Sequence, residues 1–169
     1  MPAKFSQQVH VMPGVSPVAD FFDTTQYSGP VNAKAYSKVV FLVYKGVGTS
    51  GTATLTVLAG SDAVAAATAP SSPSAGPTSS TAIPFKYKAI TSGDTEGAYT
   101  QATTAGFATT AGSHQLYVIE VDCEELGDTA YKYLYVKSSE VVNSECIGAI
   151  VALGIGGRYQ QDVPATALT

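Results

Sequence analysis

Two histidines, two cysteines and one acidic cluster are the groups best suited to chemistry in this 169-residue chain, and their spacing restricts what they can do. His10 and His114 lie about a hundred positions apart, and no HExxH, Cys-x-x-Cys or Gly-x-Ser-x-Gly pattern is present. A nucleophilic Cys–His pair needs contact in space. Cys123, however, follows the strand-like run HQLYVIEVD that His114 opens, which places the two about nine extended residues, roughly 30 Å, apart. Asp122, Glu124, Glu125 and Asp128 offer hard oxygen ligands of the kind calcium takes, but without the spacing of a calcium loop. They are expected to form a solvated acidic turn. Glu120 and Asp122 share a face of one predicted strand at about 7 Å, near the separation of glycosidase carboxylates. Nothing else suggests a sugar cleft, and tryptophan is absent. The glycines of GIGGRY lie inside an apolar run with no helix after it, so a bent or bulged strand is expected rather than a phosphate cradle. No acid, base and nucleophile set emerges. The chain is expected not to be an enzyme and to use no cofactor or metal.

The tyrosines are the remaining functional candidates. In YKYLYVK, period-two alternation puts Tyr131, Tyr133, Tyr135 and Lys137 on one face and Leu134 and Val136 on the other, core-like face. Three tyrosines in a row are too much aromatic surface for a strand that faces only water. Their cover is expected to be either a neighbouring chain or this chain's own proline-rich loop or N-terminal arm. If it is a neighbour, Tyr131, Tyr133 and Tyr135 are interface anchors. Phe5, Val9, Val11, Phe21 and Phe22 of the arm would then form a second contact.

These residues must be positioned by strands. SKVVFLVYKG is apolar on both faces and suits a central sheet strand. TATLTVLAG alternates after the turn-like GVGTSG, and the two runs read as a hairpin. IPFKYKAI, short pieces at 98–103 and 106–110, HQLYVIEVD, YKYLYVKSS and CIGAIVALGIGGRY follow. No stretch has a sustained helical period, although a short helical piece at 62–67 fits the sequence. The expectation is an all-β, antiparallel β-sandwich of immunoglobulin-like or jelly-roll type. An extended N-terminal arm at 1–35 precedes the sandwich at 36–162, and a tail follows at 163–169. Prolines 70, 73 and 77 among Ser, Ala and Gly mark 59–82 as a long low-complexity loop.

Composition narrows the partners. Charged residues make up 13% of the chain, about half the usual share. The net charge is −4 and Arg158 is the single arginine, so no basic stripe exists to neutralise phosphates and nucleic acid is excluded as a partner. No segment approaches the roughly 18 apolar residues that span a bilayer, so no membrane partner is expected. MPAKFSQQVHVMPG has no continuous apolar region, and folding in a reducing cytosol is expected. Cys123 and Cys146 would there remain free thiols, although a bridge across neighbouring strands is geometrically open.

The polar arm, SKVVFLVYKGVGTSGTATLTVLAGSDA, IPFKYKAI, TTAGFATTAGSHQLYVIEVDCEELG and YKYLYVKSSEVVNSECIGAIVALGIGGRYQQD come in an order that resembles small virion structural proteins of tailed bacteriophages, of the capsid decoration (cement) kind. The resemblance spans about residues 30–162 and is clearest at YVIEVD, the acidic turn and the strand after it. It implies a non-enzymatic protein that folds in the host cytoplasm, binds the outer surface of an assembled head and stabilises it. Its partners would be the major capsid protein and copies of itself, commonly as a homotrimer. Another head–tail or tail component, or a carbohydrate-binding sandwich, is the competing expectation.

Overall fold

The computed structural model describes residues 5–22, 25–64, 76–93, 95–126 and 130–157. A single helical turn at Phe5–Gln8 leads into twelve strands: β1 (Val9–Val18), β2 (Thr25–Tyr27), β3 (Val31–Asn32), β4 (Tyr36–Lys45), β5 (Thr52–Gly60), β6 (Ser80–Ile83), β7 (Phe85–Ile90), β8 (Thr100–Ala102), β9 (Phe107–Ala108), β10 (Gln115–Asp122), β11 (Tyr133–Val142) and β12 (Gly148–Gly157). They form two antiparallel sheets packed face to face. The first sheet runs β1-β12-β4-β10-β7-β8. The second runs β2-β11-β5-β6, with β3 beside β2 along one edge of β11 and β9 beside β6 along the far edge of β5. The all-β sandwich is the fold the strand patterns predict.

The core lies between the sheets and is filled by alternate positions, because successive side chains point to opposite faces. Val39, Phe41 and Val43 of β4, Ile150 and Ala152 of β12, and Tyr117 and Ile119 of β10 come from the first sheet. Leu55 and Val57 of β5 with Leu134 and Val136 of β11 come from the second.

Three local expectations are corrected. The β4 and β5 runs form no hairpin. After Lys45 the chain crosses the sandwich, so the two strands lie in different sheets. Lys45 shows why: its side chain points inward, fully buried, and Nζ donates to Gly51 O at 2.7 Å and Thr110 O at 2.8 Å. Burial holds its pKa below the ordinary lysine value. An ammonium so enclosed is tolerated only with such partners, and here it ties two loops across the open end of the sandwich.

The arm is not a separate segment either. From Val9 it is the edge strand β1, paired with β12, and Phe21 and Phe22 are core residues. Pro13 and Pro17 fall on this edge strand, where a missing N–H does not interrupt a central ladder.

The glycines of β12 do not bulge it, because its register with β4 is unbroken from Gly148 to Gly157. They admit aromatic rings. A Cβ on Gly154 would stand 2.6 Å from the Tyr36 ring, and one on Gly148 would meet the ring of Phe21. The possible helix at 62–67 is absent over 62–64 and otherwise lies outside the described residues, as do the 163–169 tail and the proline-rich stretch 65–75.

Gly154→Ala is therefore expected to lower stability by about 1–3 kcal/mol through overpacking against Tyr36. Urea unfolding would show this as a lower midpoint with an unchanged slope.

Candidate interaction surface

Several of the groups able to do chemistry are engaged in structural contacts. Glu120 faces outward from β10, where Lys38 Nζ donates to its carboxylate and Tyr99 Oη donates to it at 3.0 Å. The Lys38 hydrogen bond is the main cause that holds the Glu120 carboxyl below its ordinary value. A glycosidase acid needs its pKa raised, so this environment points the wrong way. Asp122 is exposed and its Oδ1 accepts from Glu124 N at 3.0 Å, the local bond of an acidic turn. Among the described residues no group of His, Cys, Asp and Glu is arranged to hold a metal, and Asp128 lies outside them. A cleft of about 300 Å³ opens beside this turn, where Ile83, Pro84 and Phe85 carry the chain from one sheet to the other.

Neither histidine meets a cysteine. His10 Nδ1 bonds the Tyr36 hydroxyl and His114 Nδ1 lies 3.4 Å from the Tyr44 hydroxyl. Cys123 and Cys146 are both buried thiols that form no disulfide, and burial pushes the Cys146 pKa up, away from the nucleophilic thiolate. His114 and Cys123 flank opposite ends of β10, as their spacing predicts. In GIGGRY the described glycines belong to β12, while Arg158 and Tyr159 lie outside the described residues.

Of the three tyrosines, Tyr135 is covered by its own chain, while Tyr131 precedes β11 and does not continue its outward face. Tyr135 is fully buried on the outward side of the second sheet. Its hydroxyl donates to Asp62 O at 2.6 Å and accepts from Val64 N at 2.9 Å. Gly60 leaves room for Pro77 and the Tyr135 ring: a Cβ there would stand 2.7 Å from Pro77 Cβ and 3.0 Å from Tyr135 Cε2. The neck of the loop is closed by Asp62, whose carboxylate accepts from Thr78 N at 3.0 Å and Thr78 Oγ1 at 2.7 Å. Tyr131 is half-buried against the core, with its hydroxyl 3.5 Å from Ser79 Oγ, and Tyr133 is half-buried. Tyr135, Phe21 and Phe22 are thus enclosed within this chain, which corrects their expected role as anchors for a neighbour. Phe5 and Val11 are open, at 65% and 52% exposure, and Val9 is half-buried.

A second, partly exposed surface lies on the other sheet. Register places Pro13, Val151, Leu42, Val118 and Lys88 in one row across β1, β12, β4, β10 and β7. The adjoining row is Val11, Leu153, Val40 and Glu120, and on the other side Ala149, Tyr44, Leu116 and Ile90 align. Their neighbours along each strand fill the core, so these rows point away from it. Tyr44 is 46% exposed and Val151 36%, whereas Leu42, Leu116, Val118 and Leu153 are half-buried and Val40 is buried. Except where β10, β7 and Lys38 of β4 bring in charge, the face is apolar. Sequence reasoning missed this surface. Its signal was present in runs such as VVFLVY and GAIVALG, which are apolar on both faces.

No family model, curated protein or solved structure matches the chain.

Because Glu120 is held below its ordinary value of 4.5, its ion pair contributes above that pH and is lost as pH falls through the lower folded value. Lys38 is held above 10.5 chiefly by the same bond, so the contribution is also lost as pH rises through its folded value. Screening of the partly exposed pair limits the effect to about 1 kcal/mol or less. Glu120→Gln should be slightly less stable than wild type near neutral pH, and the two unfolding midpoints should converge in acid.

Proposed function

We propose that this is a non-enzymatic structural protein of a tailed-bacteriophage virion, which decorates the outer surface of the assembled head and stabilises it through contacts with the major capsid protein and with copies of itself. The observation that carries this reading is the apolar outward face of the first sheet. Contiguous exposed apolar patches of this breadth mark protein or membrane interaction sites. The remaining features agree. The outward carboxylate is neutralised by Lys38, both thiols are buried, and Lys45 is consumed in a loop staple. A decoration protein needs only surface burial: interfaces of about 800 Å² per partner, repeated over a lattice, stabilise a shell even when each is weak. The phage context rests on the sequence resemblance, and the sheet face supports the contact mode.

Antibody raised against the purified protein and applied to virions from cells that express this gene, with gold-labelled electron microscopy, tests the location. Regularly spaced label over intact heads is expected. Label confined to tails or connectors, or absent from virions, would overturn the decoration reading.

A further inference from the structure

We infer that the outward face of β1, β12, β4 and β10 is a two-fold self-association surface whose occupant is a second copy of this chain. The inference rests on the reading that the protein works through protein–protein contacts, and it assigns the partner of that face. Four strands at about 4.8 Å spacing, with some eight residues each at about 3.3 Å, span roughly 19 by 27 Å, or about 500 Å² in projection. Two copies then cover roughly 1,000 Å² before side-chain relief is added, about the lower threshold of a biological interface.

Charge and shape favour a like partner. The outward charges gather on one side, on β10 and β7 with Lys38 of β4, and the prominent ones are paired within the chain: Lys38 with Glu120, and Lys88 with Glu96. The face therefore offers no single-sign patch to an oppositely charged protein. The rows centred on Leu42 and Val151 can meet their own copies without burying an unpaired charge. A two-fold contact asks only that one patch be self-complementary, and two flat apolar sheet faces pack about 10 Å apart, as the two sheets of each chain already do. Edge-to-edge pairing is disfavoured, since the long edge strand β1 carries Pro13 and Pro17. The face-to-face route remains. Its product is a dimer, in contrast to the trimer that the family resemblance implies.

The test is the solution mass of the full chain by light scattering and sedimentation, over a concentration series into the high micromolar range. Wild type is expected to approach twice the 17.3 kDa chain mass. Val151→Lys and Tyr44→Arg each place a charge on the outward face, where no core contact is lost. Each is expected to raise the dimer dissociation constant by about tenfold or more, tempered by the ability of a long side chain to reach the rim. Their unfolding midpoints should stay near wild type when measured where wild type is monomeric. Thr56→Lys, on the outward face of the second sheet, should leave dimerisation unchanged. A wild type that stays monomeric, a trimer, or a dimer indifferent to Val151→Lys and Tyr44→Arg would overturn the inference. A monomer that still labels phage heads would sink the dimer and leave the structural role intact. A dimer found nowhere on virions would do the reverse.

Discussion

A strand that is apolar on both faces needs cover on both sides, and β4 and β12 impose that requirement on the whole molecule. Val39, Phe41 and Val43 point one way while Val40, Leu42 and Tyr44 point the other. In β12, Ile150 and Ala152 alternate in the same manner with Val151 and Leu153. The second sheet answers one side with Leu55, Val57, Leu134 and Val136. Among the described residues the other side stays partly open, with Val11, Tyr44 and Val151 exposed while Val40 is buried and Tyr99 reaches over to Glu120, and burial of apolar surface is the dominant favourable term in folding and in most association. That partly open side is what the proposed interfaces would cover.

The rest of the chain supports the centre of the first sheet, while the β1–β12 ladder at its edge carries two register shifts. Gly148 and Gly154 make room for the rings of Phe21 and Tyr36, so residues from the start of the chain close the core over β12 without distorting it. Lys45 closes the end where the chain leaves β4, because its buried ammonium demands the carbonyls of Gly51 and Thr110. On the second sheet, Asp62 and Thr78 draw the loop neck over Tyr135. That outward face is half covered from within, and among the described residues Val11, Tyr44 and Val151 of the first sheet remain exposed.

The sandwich was legible because alternation in TATLTVLAG, QLYVIEVD and YLYVK is a direct consequence of strand geometry. The double-sided character of VVFLVY was legible as well, as the mark of a central strand. The sequence does not say what covers each face. A six-residue turn after Lys45 serves a hairpin or a crossing between sheets equally well, and only the inward ammonium decides. The three tyrosines of YKYLYVK drew attention to the wrong sheet, since their cover, Pro77 and the Asp62–Thr78 clasp, sits in a stretch whose composition reads as featureless loop. Phe21 and Phe22 looked like an arm because the partner of one of them, Gly148, lies far along the chain, and no local pattern links a ring to a distant gap.

The central claim is that the outward face of the first sheet is covered by protein when the molecule is at work. Hydroxyl-radical footprinting of dilute and concentrated protein addresses it side chain by side chain. The account predicts that Val11, Leu42, Val151 and Leu153 react in dilute solution and become protected together as concentration rises, while Val47 and Val141, exposed elsewhere, keep their reactivity. Equal reactivity of the four at every concentration, and again in the virion, would contradict it.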